Sequence, residues 1–173
     1  MKKVIWSGGA FESFTYDGAG RLATKTDRKS VVTTYGYDDL GRLTSTTYSD
    51  ASPAVTYTYD EVGRLRTAAN GTDTLTRTYD LLGEVLSEES QANASVVEYT
   101  YDLDGNRLSV SLNGQVVVSY GYDDASRLTT ITRATSNWTL GYDAASRRTP
   151  LLHPNTVTTT YGYDVVSRLT CPG

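Results

Sequence analysis

Cysteine, histidine and methionine each occur once in this 173-residue chain, as Cys171, His153 and Met1. A single cysteine excludes an intramolecular disulfide. One histidine and one cysteine cannot supply a three- or four-ligand zinc site within the chain, and no metal or cofactor is expected. There is no Gly-x-Ser-x-Gly elbow and no phosphate-binding loop. No apolar run approaches the length of a membrane span, so membrane insertion by a helix is not expected. Lys2 and Lys3 are followed by no sustained apolar stretch, and the start does not read as a signal peptide. An excess of basic residues is also missing: 16 Lys and Arg stand against 20 Asp and Glu, a net charge of −4. The arginines are dispersed and matched by aspartates, which argues against nucleic acid as a partner. Hydrophobic residues make up 38%, below the usual share of about 45–50%. A large Leu/Ile core is therefore not expected.

Tyrosine fills that gap. There are 14 Tyr against 2 Phe, and a tyrosine ring buries apolar area while its hydroxyl reaches a partner at the edge. Eight of the tyrosines precede Asp, at Tyr16, Tyr37, Tyr59, Tyr79, Tyr101, Tyr122, Tyr142 and Tyr163, with spacings of 21, 22, 20, 22, 21, 20 and 21. A fixed period of this kind is the signature of a repeat architecture. Three residues after each Asp stands Gly20, Gly41, Gly63, Gly83, Gly105, Ser126, Ser146 or Ser167. Arg follows in six copies, and one place later, as Arg107, in the fifth. Two residues before the motif tyrosine there is usually a second aromatic, with Arg77 and Leu140 as exceptions.

Residues two apart on a strand share a face. Val32 to Tyr37 alternates and is rich in β-branched and aromatic residues, so it reads as a strand. Asp-x-x-Gly-Arg reads as the turn, because Asp bonds turn amides and Gly accepts positive φ. Each repeat is then one β-hairpin. The expected fold is all-β: tandem antiparallel β-hairpins, about sixteen short strands, forming a coiled or closed sheet. Residues 1–13 read as a lead-in strand, 14–170 as a single eight-repeat domain and 171–173 as a tail.

The string Tyr-x-Tyr-Asp-x-x-Gly-Arg-Leu, at Tyr35 to Leu43 and Tyr57 to Leu65, resembles the YD-repeat signature of RHS proteins. So does Tyr-Asp-x-x-Gly-Asn-Arg-Leu at Tyr101 to Leu108. The resemblance runs from about Phe14 to Leu169 and implies a long sheet coiled into a hollow shell that encloses a toxic domain or presents an adhesive surface. It further implies a secreted or cell-surface location. Family members are usually far longer, and the Asp-Pro-containing autoproteolytic motif of many bacterial members has no match here. The chain therefore reads as a fragment or minimal array, with its parent's effector function outside it.

Three functions are compatible with the residues. The first is a structural or encapsulating scaffold with no dedicated active site, because eight near-equivalent copies single out no position. Asp and Arg four residues apart fit a turn tied by hydrogen bonds and charge better than they fit catalysis. The second is a carbohydrate-binding or adhesion surface, with a glycan stacked on Tyr35, Tyr37, Tyr57, Tyr59, Tyr99, Tyr101, Tyr120 and Tyr122. The competing reading makes these rows the ladder that packs neighbouring hairpins. The third is a weak hydrolase in a Tyr/Asp/Arg-lined interior. It would use His153, in a Pro-flanked insertion, with Ser146 or Ser167 and Asp143 or Asp164. A lone loop histidine is more often simply solvated. Asp102 to Asn106 resembles the start of a calcium loop, but the twelfth position is Asn113 rather than Glu. The terminal strands, Val157 to Tyr163 among them, have no evident cap, so a homo-oligomer joined through them is expected, with a closed monomeric barrel as the alternative.

Overall fold

The structure, a computed structural model, describes residues 2–5 and 11–170, with the backbone alone at residues 2, 3 and 5. The Gly8-Gly9 pair, Cys171 and the tail 171–173 lie outside the described residues. The described residues form eighteen strands and no helix. Contacts divide the chain into two units, Met1–Thr78 with Glu88–Ala94, and Tyr79–Ser87 with Ser95–Gly173.

The first unit is built on β1 (Lys2–Ile5), β2 (Phe11–Tyr16), β3 (Leu22–Thr26), β4 (Val32–Tyr37), β5 (Leu43–Tyr48), β6 (Val55–Tyr59), β7 (Leu65–Ala69) and most of β8 (Thr74–Tyr79). From β1 to β8 each strand pairs antiparallel with the next. Strand β9 (Val85–Ser90) is divided between the units. The second unit continues with β10 (Ser95–Tyr101), β11 (Arg107–Leu112), β12 (Gln115–Tyr122), β13 (Leu128–Arg133), β14 (Ser136–Tyr142), β15 (Arg148–Leu152) and β16 (Thr158–Thr160), again each antiparallel to the next. A separate two-stranded ribbon pairs β17 (Gly162–Tyr163) with β18 (Leu169–Thr170). Strand order follows chain order without a crossover.

Register sorts the side chains. In the first unit Tyr35 faces Thr46, Thr46 faces Val55, Tyr57 faces Ala68 and Ala68 faces Leu75. These residues share one face, because side chains alternate along a strand. The other face carries Thr24, Thr34, Thr47, Ser45, Thr56, Thr58, Thr67 and Thr76. The second unit repeats the division. Tyr99, Val110, Val118, Tyr120, Ile131 and Trp138 lie on one face, and Thr100, Ser109, Ser119 and Thr132 on the other. On the hydroxyl face, cross-strand pairs share hydrogen bonds: Thr15 with Thr24 at 2.6 Å, Thr58 with Thr67 at 2.7 Å and Thr100 with Ser109 at 2.7 Å.

Neither face is deeply covered. Among the described residues Leu140 is the one buried hydrophobic side chain, and Ser13 and Thr46 are the buried polar ones. The strands are thus held by their backbone ladders and by half-buried tyrosines rather than by an oil-like core.

The expected long strand from Val157 to Tyr163 is interrupted at Tyr161. Its first part pairs with β15 and its last two residues pair with β18. Pro150 lies opposite Thr160. Proline has no amide donor, so the ladder loses a bond there. The Tyr161 amide donates instead to the Thr149 carbonyl at 2.8 Å.

Glycine recurs between the paired aromatic positions, and its environments differ. A Cβ at Gly36 would strike the Ser45 hydroxyl, which can rotate away, whereas at Gly141 it would meet ring atoms of Pro150 at 2.7 and 2.8 Å. Gly36→Ala should therefore fall within about 1 kcal/mol of neutral, since alanine also restricts the unfolded chain. Gly141→Ala should destabilise by about 1–3 kcal/mol, because the ring cannot move aside. Denaturant melts of the two variants check the contrast, and equal effects would contradict it.

Candidate functional site

Each motif aspartate organises its turn through its carboxylate. At Asp17, Oδ1 accepts the amides of Ala19 and Arg21, both at 2.9 Å, and Oδ2 accepts Arg21 Nε at 2.7 Å. The same three bonds recur at Asp38, Asp60, Asp123, Asp143 and Asp164, with the Arg Nε to Oδ2 distance between 2.6 and 2.8 Å throughout. The turn backbone closes beneath them: the Gly41 amide donates to the Asp38 carbonyl, and the Asp38 amide to the Arg42 carbonyl, both at 3.0 Å. This closure needs positive φ at the fourth turn residue. Gly41 supplies it at 80°, and Ser126, Ser146 and Ser167 adopt it at 55°, 59° and 63°. Those serines are held in a conformation that glycine takes more readily.

Arginine then reaches the next repeat. The guanidinium of Arg21 lies 4.7 Å from the Tyr37 ring centroid, Arg42 4.7 Å from Tyr59, Arg127 4.8 Å from Tyr142 and Arg147 4.8 Å from Tyr163. Its outer nitrogen touches the next turn as well. Arg21 Nη1 donates to the Asp38 carbonyl at 3.2 Å, and Arg127 Nη1 to Ser146 Oγ at 3.0 Å. The stacked tyrosine donates its hydroxyl back to the preceding repeat: Tyr37 to the Leu22 carbonyl at 2.9 Å, Tyr59 to Leu43 at 2.7 Å, and Tyr142 to Leu128 at 2.8 Å. Each such bond contributes about 1 kcal/mol.

These bonds set the titration of the turn acids. The Arg21 side chain, then the Arg21 amide, hold Asp17 below its ordinary value of 3.8. At Asp38 the Arg42 amide leads, assisted by the Arg42 side chain. A depressed carboxylate stabilises the fold fully above its unfolded value, and that stability is lost as pH falls from there through the lowered folded value.

The column is interrupted in the middle of the array. The fourth repeat has Glu84 and the fifth Asn106 where the others have arginine. Asp80 Oδ1 still accepts the amides of Leu82 and Glu84, both at 2.9 Å. Asn106 Nδ2 replaces the arginine bond to Asp102 at 3.0 Å and also donates to Ser126 Oγ at 3.1 Å. Glu84 is raised above 4.5, first by desolvation, then by its contact with Asp80, then by the charge of Asp102. In the fifth repeat Arg107 stacks on Tyr99 at 4.7 Å and on Tyr101 at 6.0 Å.

The tyrosines singled out in the sequence fall on the expected rows. Tyr35, Tyr37, Tyr57 and Tyr59 stand in the first unit, and Tyr99, Tyr101, Tyr120 and Tyr122 in the second; all are partly exposed. The motif tyrosines have their hydroxyls engaged: Tyr101 donates to the Val85 carbonyl and Tyr122 to that of Arg107, as Tyr37 and Tyr59 do to theirs. The hydrolytic candidates are dispersed among separate contacts. His153 Nε2 is 3.1 Å from Thr159 Oγ1. Ser146 Oγ accepts from Arg127 and Ser167 Oγ from Arg147. Asp143 and Asp164 serve their own turns. His153 occupies a turn position equivalent to the motif aspartates, its amide donating to the Val157 carbonyl at 2.8 Å.

Two features were missed in the sequence. Asp27 repeats the turn device between repeats, accepting the amides of Lys29 and Val31, with Ser30 at positive φ; its Asp-x-x-Ser spacing was a readable signal. The turn tips also carry large apolar residues in full solvent, Leu81, Leu103 and Val165 among them.

The RHS Repeat family model matches residues 16–53 and 101–137. Among solved structures, the crystal structure of TcdB2-TccC3-Cdc42 is similar over 92% of this chain and 10% of that chain, with 18% identity and a TM-score of 0.77. TcdB2-TccC3 without its hypervariable C-terminal region is similar over 95% and 10%, with 17% identity and a TM-score of 0.77. A Photorhabdus luminescens Tc holotoxin pore with a TccC3 mutation is similar over 89% and 10%, with 19% identity and a TM-score of 0.72. The chain spans about a tenth of the length of those chains. At such identities the likeness is one of fold. No curated protein matches the chain.

Glu84 gives a direct test of the column. A raised acid destabilises the fold when ionised, and the penalty is relieved as pH falls through its folded value. Glu84→Gln should therefore melt at higher temperature than the parent at pH 7, and the advantage should shrink as pH falls from the raised value towards the ordinary 4.5 and vanish below it. An unchanged melting temperature at pH 7 would show that Glu84 carries no penalty.

Proposed function

We propose, from the match of the RHS Repeat family model to residues 16–53 and 101–137, that this chain is a structural segment of an enclosing β-shell, without a dedicated active site. The observation that carries the proposal is the commitment of the repeated polar groups to the sheet itself. Turn carboxylates, guanidiniums and motif hydroxyls bond within a repeat or to a neighbouring one. Groups used in the same way at each copy are construction elements. The tyrosine face, left half-exposed, supplies a broad amphipathic lining of the kind a shell presents to its contents. Strands at the ends of an array offer unpaired amides and carbonyls, so contact with a second copy of the chain, or with further repeats, is part of the same proposal.

Removal of whole repeats from the C-terminal side tests it. In a scaffold of nearest-neighbour units, stability declines stepwise with each repeat removed. Light scattering on the same series should give masses above 18.9 kDa for the full chain, falling when 157–173 are deleted. Loss of all structure on removing one repeat, or an activity of the pure chain abolished by one point substitution, would contradict the scaffold role. A monomer at all concentrations would contradict the end-to-end contact.

A further inference from the structure

The seventh repeat departs from the pattern on the tyrosine face, where Leu140 and Arg148 border a groove of about 480 Å³ running from β12 to β15. The fourth and fifth repeats depart from it at their turns, and there two departures coincide. Asp80-Leu81-Leu82-Gly83-Glu84 and Asp102-Leu103-Asp104-Gly105-Asn106 carry leucine at the tip and lack the arginine that closes the other six turns. Leu81 and Leu103 are fully exposed, and Leu82 largely so. The sixth and seventh turns have Asp124-Ala125 and Ala144-Ala145 at these positions, and the eighth, with Val165-Val166, keeps its arginine, Arg168. The two leucine-tipped turns lie side by side in the second unit. Tyr101 donates its hydroxyl to the Val85 carbonyl at 3.0 Å, and a Cβ at Gly105 would lie 2.9 Å from Glu84 Oε1.

Clustered leucines rimmed by polar groups mark a surface that a partner covers. Spacing indicates its shape. Successive motif turns are two strands apart, about 10 Å. Seven residues of α-helix rise by about 10.5 Å, so a helix laid along this edge sets residues i and i+7, which share its face, over the two tips. An extended strand covers the same distance in about three residues, which puts its first and fourth side chains on opposite faces. Charge indicates the flanks of that helix. The two turns hold four carboxylates, Asp80, Glu84, Asp102 and Asp104, and no basic residue. Glu84 is held above its ordinary value by desolvation first, and then by Asp80 and Asp102. A cation brought to this edge therefore relieves a repulsion already present.

We propose that the fourth and fifth turns dock a cationic amphipathic helix of a partner polypeptide. Its apolar residues, seven apart, sit on Leu81, Leu82 and Leu103, and its lysines or arginines flank them beside Glu84, Asp102 and Asp104. The surface is an edge of the sheet formed by turns, apart from the terminal strands, and it depends on residues that break the repeat.

The test titrates the full chain into a fluorophore-labelled synthetic helix with two leucines seven apart, alanine elsewhere on that face and lysine on both flanks. Fluorescence anisotropy should show saturable binding that weakens with added salt. Binding should fall at least about tenfold in Leu81→Ser with Leu82→Ser, in Leu103→Ser, and in Glu84→Arg, which installs the residue that six other turns carry. These side chains stand outside the sheet, so far-UV circular dichroism of the chain should not change. Leu40→Ser with Val62→Ser alters exposed tips whose turns keep Arg42 and Arg64, and should bind as the parent does. A peptide with proline between its leucines cannot hold the helix and should not bind, nor should one with glutamate for lysine. The proposal is overturned by the absence of saturable binding, by equal binding of either control peptide, or by undiminished binding to any of the three turn variants. An equal loss in Leu40→Ser with Val62→Ser would also overturn it, by showing that any apolar tip serves.

Discussion

One carboxylate per repeat holds the architecture together. The motif aspartate accepts two turn amides and the arginine Nε at once. This fixes the hairpin, and it also fixes the arginine. A guanidinium anchored through Nε keeps its face for the next tyrosine and its outer nitrogen for the next turn, as at Arg21. The tyrosine in turn donates to a carbonyl of the preceding strand. A bond made inside one turn thus sets the distance to its neighbour. With Leu140 as the one buried hydrophobic side chain among the described residues, regularity has to come from such directional contacts, which reinforce one another when fully satisfied.

The interruptions follow from the same constraint. Where Glu84 replaces arginine, the turn still closes through amides, but its side chain meets Asp80 and feels the charge of Asp102. Where Asn106 replaces it, the shorter amide keeps the bond to Asp102 and still reaches Ser126. At the seventh repeat, Leu140 and Arg148 replace a ring and an alkyl chain, and a groove opens. A repeat can tolerate each change because closure of the turn by aspartate survives all three.

The hairpins, the turn role of aspartate and the sharing of a face by the paired tyrosines were legible because they are local. Asp-x-x-Gly names a turn, and a spacing of two names a face. The arginine–tyrosine stack was not legible. Arg21 and Tyr37 are linked only once β3 and β4 pair, and nothing in either residue's neighbourhood states that register. The break at Tyr161 was hidden for a related reason: the strand reads as continuous, and Pro150 removes its ladder bond from across the sheet. The groove was half-visible, since Leu140 and Arg148 stand out as departures in the repeat, but its reach from β12 to β15 depends on four strands lying side by side.

The central claim is that adjacent repeats are coupled through arginine and tyrosine, and a double-mutant cycle on Arg42 and Tyr59 measures that coupling. The Arg42 guanidinium lies 4.7 Å from the Tyr59 ring centroid. Arg42→Gln, Tyr59→Leu and the double variant should be compared by denaturant unfolding. A stacked cation contributes about 0.5–1 kcal/mol at a partly exposed site, so the two losses should fall short of adding by about that amount. Strict additivity would place the two residues in independent roles and contradict the account.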